Sequence, residues 1–471
     1  MTHALLIYNA MLLDESTDTP GAVLSVDGKI RSIFNGYFTN ANTVSAMAKA
    51  VLLEDGYSED CTLELFDAAG LTLTPAFIDM HVHLRYPGQS QKEDLETGTH
   101  ACASGGFGTI CAMPNTAPVV SSKEQACTIM NEAKQLGYTN VIQVVSITKD
   151  FKGQDISHID ELDVSRTPVI SEDGREVASS KIMLDAMEKA AKKGLVVACH
   201  CEDPELAAMA RPFRQHALET IKKNNIPLDP LKLSEIGSIS TEISDSIYSD
   251  FMNANELLRT AEDTLTERNI ALAELAHAKI HLCHVSTEHS IDYVRQAKKR
   301  GYTKVSCEVT PHHICCSAYD WKEMLAIVNP PIRSIEDNKA IIEGIKDGTV
   351  DCISTDHAPH TQEDKENGAP GFTGIEVSYA ACHTDLVCTK QIPDKKLSQL
   401  MSANPARILG LQKGVLKSGF DADLTLVDPE EQWKVESSRF YSKGKATPFE
   451  GRILTGAVKG LFIDGRLVLE K

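Results

Sequence analysis

His81 and His83 stand one residue apart at the end of a strand-like run, residues 71–80. In an extended chain, side chains two apart point to the same face, about 6–7 Å apart along the strand. Two imidazoles so placed can converge on one metal ion. Alone, a His-X-His is as easily a packed or solvated pair. Further candidates follow it, each just after a strand-like run. Asn115 comes after residues 110–113, Asp173 after 168–170, His200 after 195–199 and His284 after 280–283. Asp356, His357 and His360 come after 352–355. Four histidines (His81, His83, His200, His284) and two aspartates (Asp173, Asp356) at such positions predict one joint metal site. Neutral imidazole nitrogens and carboxylate oxygens suit zinc and related divalent ions. Such an ion lowers the pKa of water towards ~7 and so supplies hydroxide at neutral pH. Six candidate ligands can serve one ion or two, and a single carboxylate can bridge a pair.

The elements that must position these side chains alternate. Residues 109–113, 141–147, 168–170, 195–199, 280–283, 304–309 and 350–354 read as strands. Residues 121–136, 180–193, 287–300 and 335–345 read as helices between them. Repeated β–α order predicts an α/β fold with a parallel sheet, and this many units fits a closed (β/α)₈ barrel better than an open sheet. Barrel enzymes assemble their sites from strand C-termini, which is where the candidates sit. The first ~70 residues read as short strands and turns. Residues 22–26 and 29–33 flank an Asp27-Gly28 turn, and near the C-terminus residues 422–427 and 461–468 have the same texture, with Asp464-Gly465 as another turn. The expected division is 1–72 and 412–471 as two parts of one small β domain, with 73–411 as the barrel. Residues 203–269 interrupt the rhythm with a long, polar, helical excursion that includes the hydrophobically poor run 234–250. It reads as a lid, a contact surface or a passive insertion.

The chain has 471 residues, 42% hydrophobic and 24% charged, with a net charge of −19. That balance disfavours nucleic acid and anionic membrane as partners, since both need basic patches. A small anionic substrate is still open to a local cationic pocket. No apolar run approaches the ~18 residues of a membrane span, and no signal peptide is evident. The 13 cysteines include no CxxC pair. They read as reduced, buried thiols of a cytoplasmic protein. Cys199 and Cys201 flank His200 and should point to the opposite face from it.

Asp79-Met80-His81-Val82-His83-Leu84-Arg85 closely resembles the opening motif of the amidohydrolase superfamily. Met113-Pro114-Asn115-Thr116, Glu308-Val309-Thr310-Pro311-His312-His313, Asn329-Pro330-Pro331 and Thr355-Asp356-His357-Ala358-Pro359-His360 narrow the resemblance to the class I bacterial dihydroorotases. The likeness runs from about residue 75 to 374, with a weaker match through 461–465. It implies that His81 and His83 hold a first zinc ion with Asp356, that His200 and His284 hold a second, and that Asp173 bridges them. Asp356 would also be the catalytic acid/base. Arg85, Asn115 and His360 would bind the substrate carboxylate, with His83 beside them, Asn329 on the pyrimidine and Pro370-Gly371 contacting substrate through their backbone. The implied reaction interconverts N-carbamoyl-L-aspartate and L-dihydroorotate. The resemblance further implies a homo-oligomer, a dimer above all, and association with aspartate transcarbamoylase.

Related hydantoinases and dihydropyrimidinases usually bridge their metals with a carboxylated lysine. The matching strand end here reads Ser171-Glu172-Asp173-Gly174-Arg175, with no lysine at the ligand position. Tyr86 departs from the acidic residue many relatives carry there, and Ala76 from a frequent glycine. His312 and His313 read as supporting residues, and His357 as pointing away from the metals. Residues 361–374 read as a loop that closes over substrate or as an inert exposed one. The competing readings are hydrolysis of another cyclic amide, such as allantoin or a hydantoin, and a catalytically silent scaffold.

Overall fold

The computed structural model describes residues 3–57, 62–227, 239–318 and 326–471. Part of the run 234–250 lies outside them. In chain order the first strands are β1 (Ala4–Leu13), β2 (Asp18–Val26), β3 (Lys29–Asn35), β4 (Leu63–Asp67) and β5 (Thr72–Pro75). Next come β6 (Phe77–Val82), β7 (Phe107–Ala112), β8 (Asn140–Gln143), β9 (Val145–Ser146) and β10 (Val169–Ser171). They are followed by β11 (Val196–Cys199), β12 (Lys279–Leu282), β13 (Val305–Val309) and β14 (Cys352–Ile353). The chain ends with β15 (Leu424–Lys434), β16 (Ile453–Ile463) and β17 (Arg466–Glu470).

Strands from the two chain ends share one sheet, as the like texture of the termini predicts. Its order is β17-β16-β15-β5-β1-β2-β3, with β4 also paired to β1. The join is the antiparallel pairing of β15 with β5, Leu424 opposite Pro75. Asp27-Gly28 turns β2 into β3, and both residues have positive φ, 46° and 82°. Asp464-Gly465 does the same between β16 and β17, at 50° and 67°. A core of Leu5, Ile7, Leu12, Leu73, Leu424 and Phe462 lies on one face.

The N-terminal part is not all strand. Ala41–Glu54 is a helix, capped by the Asn40 side chain, which accepts from the Asn42 amide. Val44, Ala48 and Leu52 recur every fourth residue and bury that stripe against Leu6, Leu24 and Val26. This helical period within a β-rich region went unread in the sequence.

Between the two ends every strand pairing is parallel. The order is β6-β7-β8 in one run and β9-β10-β11-β12-β13-β14 in another. β8 and β9 are separated by Val144 alone, and just past β14 His357 makes an isolated parallel bridge with Val82 of β6. Apart from the half-buried β8 and the exposed Lys279 that opens β12, these strands are buried on both sides, as expected where helices cover a parallel sheet. Helices Lys123–Leu136, Ser180–Lys193, Glu288–Lys299 and Ile335–Asp347 lie close to their expected spans. Ser122, Ser179, Thr287 and Ser334 cap their N-termini. Each cap removes an orphan backbone donor and fixes where the helix starts.

Among its described residues the excursion after β11 has the helices Pro204–Lys223 and Thr241–Ala276. Ala217, Ile221, Ile247 and Phe251 pack them together. The second helix continues into the main core through Leu265, Ile270 and Ala273. Arg333 ties it to the segment before Ile335–Asp347, donating to Glu262 Oε2 at 3.0 Å and to the Leu258 carbonyl at 3.3 Å. Among the described residues no disulfide joins the cysteines. No helix among the described residues is long and apolar enough to cross a membrane.

Candidate metal centre and substrate cavity

The strand ends bring all six expected ligands together. His81 Nε2 lies 3.3 Å from Asp173 Oδ1 and 3.6 Å from Asp356 Oδ1. His83 Nε2 lies 3.1 Å from Asp356 Oδ1 and 3.5 Å from Asp173 Oδ2. His200 Nδ1 and His284 Nε2 are 2.8 Å apart, and stand 3.5 and 3.9 Å from Asp173 Oδ1. Ligand atoms around one tetrahedral zinc, each about 2.0–2.2 Å from it, are roughly 3.3 Å apart. Two triads made up of expected ligands, His81–His83–Asp356 and His81–Asp173–His284, keep their ligand atoms within 4.8 Å of one another, close enough to tighten onto an ion. His81 Nε2 and Asp173 Oδ1 are buried with no hydrogen-bond partner. Orphaned buried polar atoms are costly, so two facing each other mark a place that a cation fits.

Electrostatics keep both aspartates ionised. Burial alone would raise the Asp173 carboxyl, but His81, His200 and His284 outweigh it and hold it well below the carboxylate range. The same opposition, with burial against His83, His81 and His284, lowers the Asp356 carboxyl. Each therefore offers an anionic oxygen at neutral pH. Backbone strain marks the same places. Arg85, His284 and Asp356 all have positive φ, at 55°, 34° and 47°. Left-handed backbone at non-glycine residues costs about 1–3 kcal/mol each and clusters where the direction of a side chain matters.

Glu308 stands directly behind His81. Its carboxylate receives His81 Nδ1 at 3.0 Å and His281 Nε2 at 2.9 Å, and the His284 amide donates to it at 3.3 Å. With His81 Nδ1 engaged, Nε2 is left to face the centre. Sequence reasoning missed this role, although the signal was there. Glu308 is a fully buried charge inside the apolar strand β13. Alternation puts it on the face opposite Cys307 and Val309, which pack outwards into the core.

A cavity of about 240 Å³ opens on the cluster, lined by His83, Asn115, Asp173, His200, His284 and Asp356 together with Arg85, Asn329, His360, Pro370 and Gly371. Every expected substrate residue thus reaches one space. Arg85 Nε donates to the Pro359 carbonyl at 3.2 Å, and its Nη2 lies 3.1 Å from His360 Nε2. Burial, with Arg85, Lys92 and Lys365 adding to it, lowers the His360 imidazole to about 3, so it is neutral; its Nε2 donates to the Pro370 carbonyl at 2.9 Å and stands beside the guanidinium without accepting from it. Asn115 does more than line the wall. Its Oδ1 meets His83 Nδ1 at 2.9 Å and its Nδ2 donates to Asp173 Oδ2 at 3.0 Å, joining two expected ligands. Glu202, which also lines the cavity, was not foreseen; it stands 3.9 Å from His200 Nε2.

The supporting residues fall where expected. His357 turns away from the cluster towards Glu93 at 3.9 Å, and its Nδ1 accepts from the Gly374 amide at 3.4 Å. His313 reaches the Pro330 and Pro331 carbonyls, each at 3.2 Å, and His312 packs edge-on against Phe372. Cys199 and Cys201 point into the hydrophobic core. Tyr86 hydrogen-bonds Glu132 at 2.9 Å, away from the cavity, and Ala76 is buried where its methyl faces Gly108. Residues 361–374 are partly regular, since Gln362–Glu366 is a helical turn with a Thr361–Asp364 capping box. Lys365 Nζ donates to the carbonyls of Ile327, Ala369 and Gly371 at 2.7–2.9 Å.

Arg85 carries a direct prediction. Lysine keeps the charge but loses the planar fork that grips a carboxylate with two parallel bonds. Arg85→Lys should raise KM for an anionic substrate about 10- to 100-fold, with a smaller change in kcat. Steady-state kinetics decide it, and an unchanged KM would remove Arg85 from substrate binding.

Comparison with known proteins gives this frame a family. The pattern of the Amidohydrolase family matches residues 72–468. A dihydroorotase of Clostridium botulinum (strain Eklund 17B / Type B) is 36% identical over 470 residues, covering 99% of this chain and 100% of that protein. A dihydroorotase of Geotalea daltonii is 38% identical over 422 residues, covering 88% of this chain and 92% of its own. Among solved structures, the L-hydantoinase of Arthrobacter aurescens superposes with a TM-score of 0.79 at 23% identity, covering 100% of this chain and 97% of that one. The dihydropyrimidinase of Brevibacillus agri gives 0.74 at 20% identity, covering 100% and 95%. Those two share the fold, whereas the full-length matches carry the closer kinship. On both grounds this chain belongs to the amidohydrolase family, in the branch of these bacterial dihydroorotases.

Proposed function

We propose that this protein is a dihydroorotase, interconverting L-dihydroorotate and N-carbamoyl-L-aspartate in pyrimidine biosynthesis. The observation that carries the reading is the Arg85 guanidinium opening into the same cavity as the carboxylate–imidazole cluster. A metal centre alone suits any cyclic amide. A buried guanidinium beside neutral His360 and Asn115 selects a ring that bears a carboxylate. The bacterial relatives, named dihydroorotases and aligned along nearly the whole chain, support the same choice.

In this reading His81, His83 and Asp356 would hold one divalent ion and His200 and His284 a second, with Asp173 the ligand both would share and zinc the metal that this donor set suits. When bound, the ions supply hydroxide at neutral pH and Lewis acidity for the ring carbonyl. The chain's own residues do the rest. Arg85, His360 and Asn115 receive the carboxylate, Asn329 meets the ring, and the backbone at Pro370-Gly371 closes the far side. Asp356 takes a proton from the attacking water. It returns that proton to the ring nitrogen as the bond from nitrogen to carbonyl carbon breaks. Running backwards, the same steps close carbamoyl aspartate with loss of water.

We also infer that the parallel strands close as a (β/α)₈ barrel. The Val82–His357 bridge and the single-residue gap between β8 and β9 support this. Residues 73–411 would form the barrel, with 1–72 and 412–471 the small β domain. Cysteines without a disulfide among the described residues fit a reducing, cytoplasmic setting. A homodimer and contact with aspartate transcarbamoylase belong to the same proposal, through kinship with dihydroorotases.

The test is turnover of dihydroorotate, allantoin and hydantoin by purified, zinc-loaded protein. Ring opening of dihydroorotate alone is expected. Turnover of another ring without dihydroorotate would replace the proposal with a different cyclic amidohydrolase, and inactivity on all three would favour a scaffold.

A further inference from the structure

Asn329 is a cavity residue whose side chain could serve two opposite chemistries. Its carboxamide can turn Oδ1 or Nδ2 towards a ligand, and so accept from a ring N–H or donate to a ring oxygen. The surrounding chain fixes its backbone. His313 Nε2 meets the Pro330 and Pro331 carbonyls at 3.2 Å, and the Gly371 amide and Lys365 Nζ reach the Ile327 carbonyl at 3.1 and 2.9 Å. None of these contacts decides which way the amide turns.

Arg214 does. It lies on helix Pro204–Lys223, in the excursion that follows β11, 115 positions before Asn329. Its Nη1 meets the Asn329 amide at 2.5 Å, and Nη2 donates to the Val328 carbonyl at 3.3 Å. A guanidinium has only donors, so the amide atom that faces it must be the oxygen. The Asn329 nitrogen is then turned away from Arg214. Both Asn329 and Glu202 line the cavity, and Glu202 is the acidic group whose charge acts on Arg214.

We propose that Arg214 is a positioning residue: through its bond to Asn329 Oδ1 it presents Asn329 Nδ2 to the cavity, so that the site reads an oxygen of the bound ring. The 203–269 excursion is thereby part of substrate selection and not a passive insertion. A ring with a carbonyl or carboxylate oxygen at this point gains a hydrogen bond. A ring that offers an N–H there meets a second donor and is rejected.

The inference rests on the dihydroorotase reading, and its test separates the two. Full-length, zinc-loaded wild type, R214M, R214K, N329A and the R214M/N329A double variant are compared on dihydroorotate. R214M is expected to raise KM about tenfold with kcat within about threefold, and R214K to recover most of that loss. If Arg214 acts through Asn329, the double variant is no worse than N329A alone, whereas independent roles multiply the two losses. Multiplied losses, or an unchanged KM in R214M, overturn the proposal. A fall in kcat that R214K does not restore would mean a merely structural role and overturns it too. Backbone hydrogen exchange over residues 326–332 is followed in parallel on the ligand-free proteins. Faster exchange in R214M, with R214K like wild type, is expected. If wild type fails to open dihydroorotate, the functional reading falls, while unchanged exchange in R214M would separately sink the Arg214 clamp.

Discussion

Asp356→Asn is expected to lose on the order of 10³-fold in kcat on dihydroorotate while keeping its metal, which follows from general acid–base catalysis contributing ~10²–10⁴. Position and charge argue for so large an effect. Asp356 Oδ1 stands 3.1 Å from His83 Nε2 and 3.6 Å from His81 Nε2, at the rim of the cavity where water and substrate must meet. The neighbouring imidazoles hold its carboxyl well below the carboxylate range against the opposing effect of burial, so the resting group is an anion able to take a proton. An asparagine oxygen preserves the shape and one donor to the metal but cannot carry a proton between water and the ring nitrogen. Single-turnover kinetics alongside elemental analysis separate the two functions. Near-normal turnover would remove Asp356 as the proton carrier. Loss of metal together with activity would reduce it to a ligand alone.

What was legible in the sequence follows from periodicity and spacing. The candidate ligands follow shortly after strand-like runs, so His81, His83, Asp173, His200, His284 and Asp356 could be grouped without knowing how the strands pair. Local signals of the same kind gave the Asp27-Gly28 and Asp464-Gly465 turns and the Ser180–Lys193 helix. Contacts between side chains far apart in sequence were not legible. Glu308 reaches His81 across 227 positions, and Arg214 reaches Asn329 across 115. No local period encodes either meeting. Glu308 could still have been flagged, because a charge within an apolar strand must find buried partners or be excluded. Arg214 offered no comparable signal: it sits on a polar helix whose sequence is that of any solvated face, and its partner is set by how that helix docks. The helix Ala41–Glu54 was missed for a different reason. Its apolar stripe is only three residues long, Val44, Ala48 and Leu52, within a region whose other segments alternate as strands.

Stripping the metal is expected to abolish turnover to the limit of detection, with recovery on adding zinc back and binding approaching two ions per chain. The cluster itself gives the reason. Two carboxylates and four imidazoles converge on one buried volume, and His81 Nε2 and Asp173 Oδ1 have no hydrogen-bond partner there. Without a cation, Asp173 must lean on charged imidazoles. Burial works against His81 and His200 becoming charged, yet Asp173 raises both well above the ordinary histidine value. A divalent ion removes that demand, since neutral nitrogens then coordinate directly and Glu308 keeps His81 Nε2 aimed inward. Because the ion binds the folded site and not the unfolded chain, it also stabilises the fold by mass action. Free zinc at 100 times its Kd contributes about 2.7 kcal/mol for each site. The stripped protein should therefore melt at a lower temperature, and its Tm should rise with added zinc in parallel with activity. A zinc titration followed by both readouts decides the stoichiometry. Saturation of activity at one ion per chain would leave His200 and His284 as supports of the bridging Asp173 and would remove the second ion from the reaction, and full activity in a chelated sample would overturn the metal centre altogether.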